Sequence, residues 1–190
     1  MILPIRAFGD PVLRKTGKEI DKNYPDLQEL IDNMFETMYS ANGIGLAAPQ
    51  IGLDIRIFIV DVTPLAEDED YEDIAEELKD FKKVFINAQI LEESGEEWKF
   101  NEGCLSIPDV REDVKRKSTI LIEYYDENFV KHTETFSDIR ARVIQHEYDH
   151  IEGTLFTDHL SALKKKLVKG KLTKITQGEV SISYKMRFPK

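Results

Sequence analysis

The stretch SDIRARVIQHEYDHIEG, Ser137 to Gly153, organises the rest of the chain. Ser137 can cap a helix, and Gly153 can end it. Helical spacing puts six residues of this stretch on one side: Ile139, Val143, His146, Glu147, His150 and Ile151. The stretch therefore predicts a central helix whose apolar side also carries two imidazoles and a carboxylate.

The two histidines lie four residues apart, and Glu147 directly follows the first of them. On a helix, side chains at i and i+4 share a face, with Cβ atoms about 5–6 Å apart. This spacing lets His146 and His150 bind one metal ion while Glu147 lies close enough to move a proton. The pattern HExxH is typical of a metallohydrolase. The alternative is an ordinary helix with two partly buried histidines.

Two further helices and several strands are predicted around this segment. Apolar residues from Leu27 to Met38 follow helical spacing, with Pro25 in the first turn and Asn42-Gly43 as the stop. A shorter basic helix is predicted for SALKKKLVKGKL (161–172), and a loop for EEWKFNEGCLSIPDV (96–110). The strand-like stretches are DIRIFIVDV (54–62), KVFINAQIL (83–91), STILIEYYDE (118–127) and EVSISYKMRF (179–188).

Most of these strands precede the HExxH helix and do not alternate with crossover helices. This order predicts an α+β fold with mostly antiparallel sheets packed around the central HExxH helix. An N-terminal helix and a C-terminal helix with a strand-like tail complete it. No repeat or linker divides the 190 residues, so we expect one catalytic domain over 1–190. Residues 63–80 are an acidic insert, expected to be a solvated surface loop or short helix.

Charge and cysteine content narrow the class of protein. The net charge is −10, whereas duplex-binding proteins carry a basic face, so we expect no sequence-specific nucleic-acid partner. The single cysteine, Cys104, excludes an intramolecular disulfide and suits a reducing compartment. The first residues show no signal-peptide pattern, and no apolar run approaches the ~20 residues that span a bilayer. We therefore expect a cytoplasmic protein with no membrane contact.

A catalytic metal usually needs a third protein ligand. A zinc endopeptidase would take it from downstream of His150, but the spacing HExxHxxGxxH places Phe156 at that position. Upstream, Cys104 follows Gly103 in a polar stretch, which is a poor environment for a core cysteine. A thiolate and two imidazoles would leave a fourth position open for water.

The stretch GIGLAAPQ, Gly43 to Gln50, is rich in small residues and ends in an amide. It has neither the Gly-Lys-Ser/Thr of a phosphate loop nor the glycine spacing of a dinucleotide site. It is either a plain turn between helix and strand or a backbone beside which a substrate can lie. In the second case its glutamine could donate to an oxyanion.

The motifs GIGLAAPQ, EGCLS (102–106) and HEYDH (146–150), in this order, resemble those of the peptide deformylase family. The start FGDPVLRK (8–15) is also similar to that family. The resemblance implies removal of the N-formyl group from formyl-methionine on newly synthesised polypeptides, with release of formate. It implies the metal ligands Cys104, His146 and His150, with Glu147 as general acid/base. The Gln50 amide and the Leu105 N–H would stabilise the oxyanion.

The resemblance also implies one divalent metal per chain, Fe²⁺ in the cell, with Ni²⁺, Co²⁺ or Zn²⁺ as substitutes. The partners would be N-formyl-methionyl nascent polypeptides. The basic segment KKKLVKGKLTK (164–174) suggests a transient ribosome contact. The insert 63–80 and the tail 177–190 depart from the compact family pattern. A zinc endopeptidase and a non-catalytic metal-binding or ribosome-associated protein are the alternatives.

Substrate contacts are the least direct of these expectations. The peptide would lie extended along GIGLAAPQ and pair with backbone near Ile44 and Gly45, while Gly103 permits close approach. The methionine pocket is expected from Ile44, Ile139, Val143 and the His146 ring, with Arg142 at the rim. Ile139 and Val143 could equally be plain core residues. Glu102 is expected to orient the loop or a ligand. Asp149 is either a similar partner or a surface ion pair, and His132 and His159 match no motif position.

Overall fold

The computed structural model describes residues 1–189, which contain four α-helices, a five-stranded antiparallel sheet and a two-stranded parallel sheet. The antiparallel sheet comprises, in spatial order, β2 (Gly45–Ala47), β3 (Ile57–Asp61), β4 (Lys82–Cys104), β5 (Ile107–Tyr125) and β6 (Lys131–Ser137). The parallel pair is β1 (Ile5–Arg6) with β7 (Met186–Arg187). The helices are α1 (Leu27–Ser40), α2 (Ala75–Leu78), α3 (Asp138–Ile151) and α4 (Ala162–Thr176). The predicted α+β class is confirmed.

The helix α3 occupies the centre of the fold. It packs against β2, β3 and β5, and its residues Ile139, Val143 and Ile144 belong to the largest apolar cluster. Ser137 stands at its N-cap position, but the Ser137 hydroxyl lies 3.0 Å from the Thr119 hydroxyl instead of capping the helix. Gly153 follows the helix with a φ of +73°, as expected for a residue that ends a helix.

The predicted loop over 96–110 is wrong. These residues form the end of β4 and the start of β5, which pair as a long hairpin closed by a two-residue turn between Cys104 and Ile107. Partly buried Trp98 and Phe100 alternate with exposed Lys99, which is the period of a strand. The charges and the glycine concealed that period from the sequence reading. The strand β6, which no pattern predicted, completes the sheet beside β5.

The acidic insert folds back onto the protein. It forms 3-10 turns at Thr63–Glu67 and Glu69–Ile74, followed by the short helix α2. Its acidic side chains face solvent, but Leu78 is fully buried in the apolar cluster beneath β3 and β4. The insert is therefore surface structure with an anchor in the core, rather than a purely solvated loop.

The C-terminal region differs from its prediction in length. The basic helix α4 extends to Thr176, four residues beyond the predicted end. The predicted strand 179–188 contracts to β7, because its edge meets only the two residues of β1. Among residues 1–189 no helix is both long enough and apolar enough to cross a membrane.

Candidate metal centre

Three potential metal ligands converge where the end of β4 meets the middle of α3. One ligand atom each from Cys104, His146 and His150 can be chosen so that all lie within 4.8 Å of one another. The Cys104 sulfur lies 3.3 Å from His150 Nε2. The two histidines lie on consecutive turns of α3, and the turn of the β4–β5 hairpin brings the Cys104 thiol to them. The fold thus joins residues that are distant in sequence.

The donor set fits a divalent metal ion. His146 Nδ1 lies 3.0 Å from Glu102 Oε2, so this ring nitrogen forms a hydrogen bond and Nε2 remains available to bind a metal. One sulfur and two imidazole nitrogens leave a fourth tetrahedral position for water or substrate. Zinc, iron, cobalt and nickel all accept this combination of sulfur and nitrogen.

The charges of the cluster favour the ligating form of the thiol. Burial opposes ionisation of Cys104, but the charge of His150 and hydrogen bonds from both histidines lower the thiol pKa to about 5. The pKa of His146 is raised well above its ordinary value, because contacts with Cys104 and Glu102 outweigh its burial. In this arrangement the sulfur is a thiolate, which is the form that binds metal.

A buried carboxylate holds the first histidine in place. Glu102 on β4 accepts hydrogen bonds from Arg116 Nε at 2.7 Å, from Arg142 Nη1 at 2.9 Å and from His146. Although burial opposes its ionisation, these bonds hold its pKa well below the ordinary range. Arg116 also donates to Asp149 at 2.9 Å, which ties the hairpin to α3. The geometry gives Glu102 the orienting contact that the sequence suggested.

Arg142 does not occupy the rim that was predicted for it. Its side chain is fully buried, donates to the carbonyl oxygens of Val114 and Trp98, and lies over the Trp98 ring. Burial lowers its pKa, and Glu102 supplies the balancing charge. The reason is position on the helix: residue 142 lies one turn before His146, on the side that faces β4.

Glu147 follows His146 on α3 and lines the same cleft as Cys104 and His146. Its side chain is buried, and Oε2 has no hydrogen-bond partner within residues 1–189. Burial raises the pKa of this carboxyl to about 7. A carboxyl with that pKa can both accept and release a proton near neutral pH.

Gln50 presents its amide nitrogen to the thiol. Its Oε1 accepts the Ala47 N–H at 2.8 Å, which fixes the amide so that Nε2 points the other way. Nε2 lies 3.5 Å from the Cys104 sulfur and 3.3 Å from the Ser106 hydroxyl. The 3-10 turn Ala48–Ile51 thus delivers a buried donor to the centre.

Cys104, His146, Glu147 and Gln50 line a cleft of about 600 Å³. Of the predicted substrate residues, Ile44, Gly45, Gly103, Arg142 and Val143 line it. Ile139 does not line the cleft but is buried in the core cluster, as its alternative interpretation had it. The wall also includes the tail residues Ser181, Ile182, Ser183 and Tyr184, which sequence reasoning missed. In the sequence, the only signal at these four residues was the alternation that predicted a strand over 179–188, and it gave no sign of a contact with the cleft.

The two remaining histidines lie outside the cluster. His132 Nε2 is 2.8 Å from Asp126, and His159 Nε2 is 2.8 Å from Asp149. Neither offers a third ligand downstream of His150, as a zinc endopeptidase would require. Asp149 therefore has both predicted roles, since it forms ion pairs and also supports the network around Glu102.

The class of protein follows from three features: the cleft, the cluster of three potential metal ligands and the buried carboxyl of Glu147. Together they define a metal-dependent hydrolase. The chain belongs to the polypeptide deformylase family, whose family model matches residues 2–166. It is 63% identical to a peptide deformylase of Christiangramia forsetii, over 100% of this chain and 97% of the relative. It is 62% identical to one of Flavobacterium johnsoniae, over 99% of this chain and 96% of the relative.

Solved structures give the same result. The chain superimposes on a peptide deformylase from Legionella pneumophila with a TM-score of 0.79 and 35% identity, covering 94% of this chain and 98% of the other. For one from Plasmodium falciparum the TM-score is 0.79 at 35% identity, with 92% and 95% covered. The family and the fold support N-terminal deformylation by a metallohydrolase, and membership implies a divalent metal.

Proposed function

We propose that this chain removes the formyl group from formyl-methionine at the start of nascent polypeptides. Water adds to the formyl carbon, the C–N bond breaks, and formate and a free amino terminus leave. The observation that carries the proposal is the group of three ligand atoms within 4.8 Å of one another, with the buried Glu147 next to His146 on α3 and its Oε2 without a hydrogen-bond partner within residues 1–189. A bound divalent metal supplies a Lewis acid and makes a water acidic.

The remaining chemistry belongs to residues of this chain. Glu147 accepts the water proton and later delivers it to the leaving nitrogen, for which a pKa of about 7 is well suited. Gln50 Nε2 and the Leu105 N–H donate to the oxyanion that develops on the formyl oxygen. Losing one such donor typically costs about 10²–10³ in rate.

The substrate chain adds to the end strand of the antiparallel sheet. β2 is an edge strand of the antiparallel sheet, and Ile44 and Gly45 at its start face the cleft. An extended peptide can pair with this edge through main-chain hydrogen bonds while its first side chain enters the pocket near Val143. Gly103 also lines the cleft, and its missing side chain leaves room for the Arg111 guanidinium, which would lie 2.6 Å from a Cβ atom there.

Formate release tests the function directly. Metal-loaded protein should release formate from formyl-Met-Ala-Ser, and Glu147→Gln should lower kcat by about 10²–10⁴ without loss of metal. Glu152→Gln is the matched control, because that residue pairs with Arg56 outside the cleft and should leave kcat unchanged. If the parent and the Glu152→Gln control both release no formate at full metal content, the proposal is refuted. A library of peptides with free and formylated amino termini would then detect endopeptidase cleavage.

For the metal, we propose Fe²⁺ in the cell, with Ni²⁺, Co²⁺ or Zn²⁺ able to replace it. A thiolate with two imidazoles suits metals of intermediate softness. A ferrous thiolate site should lose activity in air, and nickel loading should slow that loss. An iron-loaded enzyme whose rate is stable in air would contradict this choice.

We also propose a transient ribosome contact through α4, whose residues 162–176 include six lysines and no acidic side chain. Lys164 pairs with Glu112, whereas Lys165, Lys166 and Lys169 form no ion pair within residues 1–189. Reversing these three lysines to glutamate should reduce co-sedimentation with ribosomes. The same reversal at Lys115 and Lys117 on β5 is the control, and equal effects would refute a specific contact.

A further inference from the structure

The tail that follows α4 is anchored on both sides of the segment that faces the cleft. Ile5 N–H donates to the Lys185 oxygen at 2.9 Å, and Ala7 N–H donates to the Arg187 oxygen at 2.9 Å. The side chains of Val180 and Phe188 pack against an apolar cluster beside α4. The residues between them are therefore held against the protein.

Tyr184 is the member of this segment that reaches the centre. It is partly buried against the apolar cluster around α1, and its hydroxyl donates to the Leu105 carbonyl at 2.7 Å. Burial, followed by the charge of Cys104, raises the pKa of Tyr184 to about 12. The hydroxyl is therefore a hydrogen-bond donor throughout the neutral range.

The carbonyl that Tyr184 holds belongs to the turn that carries the proposed oxyanion donor. Leu105 and Ser106 form the two-residue turn of the hairpin, between paired Cys104 and Ile107. Phe8 N–H already holds the Ser106 carbonyl at 2.8 Å. The Leu105 N–H shares its peptide plane with the Cys104 carbonyl, and this plane is joined at the Leu105 Cα to the plane that Tyr184 holds. Because Cys104 is also paired with Ile107, the plane that carries the Leu105 N–H is restrained at both ends.

We propose that Tyr184 is a positioning residue, which holds the hairpin turn so that the Leu105 N–H points at the developing oxyanion. This inference rests on the proposed function, which gives that N–H its role. The C-terminal tail thereby becomes part of the active site. Its contribution falls on the transition state rather than on substrate binding, since it acts through a donor whose hydrogen bond strengthens as the oxyanion develops.

Tyr184→Phe tests the inference, because it removes the hydroxyl and keeps the ring. We expect kcat on formyl-Met-Ala-Ser to fall about five- to ten-fold with KM changed less than two-fold, as for one lost hydrogen bond felt in the transition state. Metal content and unfolding temperature should match the parent. Tyr24→Phe, which alters a tyrosine outside the cleft, should change neither constant.

A second readout follows the turn itself. In the zinc-loaded protein, NMR should show faster amide exchange for Leu105 in Tyr184→Phe, and an unchanged rate for Val114 further along β5. An active parent with unchanged kcat, or unchanged Leu105 exchange, would overturn the inference alone. A fall in stability or metal content that accounts for the lost rate would overturn it too, since the role would then be structural. A metal-loaded parent that releases no formate would overturn the proposed function, and this inference with it.

Discussion

Gly45 and Glu147 constrain each other at the base of the cleft. A Cβ atom at position 45 would lie 2.8 Å from both Cγ and Cδ of Glu147, closer than carbon atoms pack. Gly43 is similarly limited by the Leu105 side chain, at 2.8 Å. The two glycines of GIGLAAPQ are therefore required by the carboxylate and the hairpin turn that pack against them.

Gly45→Ala should displace the Glu147 carboxylate and lower kcat by at least about ten-fold, since misplacement by an ångström is costly in an active site. The matched control is Gly170→Ala on α4, where an added Cβ meets nothing within 4 Å among the described residues. That control should keep full activity and gain up to about 1 kcal/mol of stability from its helix propensity. Formate assays and thermal unfolding measure both, and equal activity of the two variants would contradict the steric argument.

Among the elements, the acidic insert illustrates how a charged segment contributes to stability. Its carboxylates lie in solvent, but Leu78 at the end of α2 is fully buried beside Val62 and Phe81. Leu65, Tyr71 and Ile74 pack more loosely against the same cluster. The apolar residues of the insert, rather than its charges, join it to the sheet.

Leu78→Ala should lower the free energy of unfolding by about 2–5 kcal/mol, the usual cost of deleting a buried leucine side chain. Leu163→Ala on α4 is the control, because that side chain is 68% exposed and its loss should cost little. Urea denaturation compares the two variants with the parent. A Leu78 variant as stable as the Leu163 variant would mean that the insert does not support the core.

The hairpin of β4 and β5 is the element that connects the site. It carries Glu102 and Cys104 on one strand, Arg116 on the other, and the Leu105 turn at its tip. The hairpin carries several register shifts, one of them between Gly103 and Cys104, and such irregularities bend a strand pair locally. One strand pair thus supplies a ligand, the carboxylate behind His146 and the proposed oxyanion donor.

For the whole molecule, metal binding should couple the two halves of the site, because the ligands come from β4 and α3. A ligand that binds only the folded state stabilises it by about 2.7 kcal/mol when present at 100 times its dissociation constant. Zinc or nickel should therefore raise the unfolding temperature of the metal-free protein. Cys104→Ala should lose most of that rise, and a rise of equal size in the variant would exclude the thiol as a ligand.

Much of the fold could be read from local patterns. The helices α1 and α3 follow their apolar spacing, because each buries one side against the core. The strand β3 was marked by its apolar residues and is buried on both faces. The hairpin tip did not follow apolar spacing, because Glu102 and Arg116 are charged residues in buried positions. The strand β6 did not follow it either, because Phe136 is its only buried residue. Glu102 is neutralised by Arg116 across the hairpin and by Arg142 of α3. A single segment holds no sign of these contacts.

The sequence by itself determined the α+β class, the central helix and the residues able to bind a metal, since each depends on residue type and short spacing. The tertiary structure decided which groups meet: the thiol with the imidazoles, Glu102 with its three partners, and Tyr184 with the Leu105 carbonyl. It also buried Arg142 in the wall of the cleft instead of at the expected rim, and it separated Ile139 from the cleft. Such contacts depend on how distant segments pack, and local chemistry does not specify them.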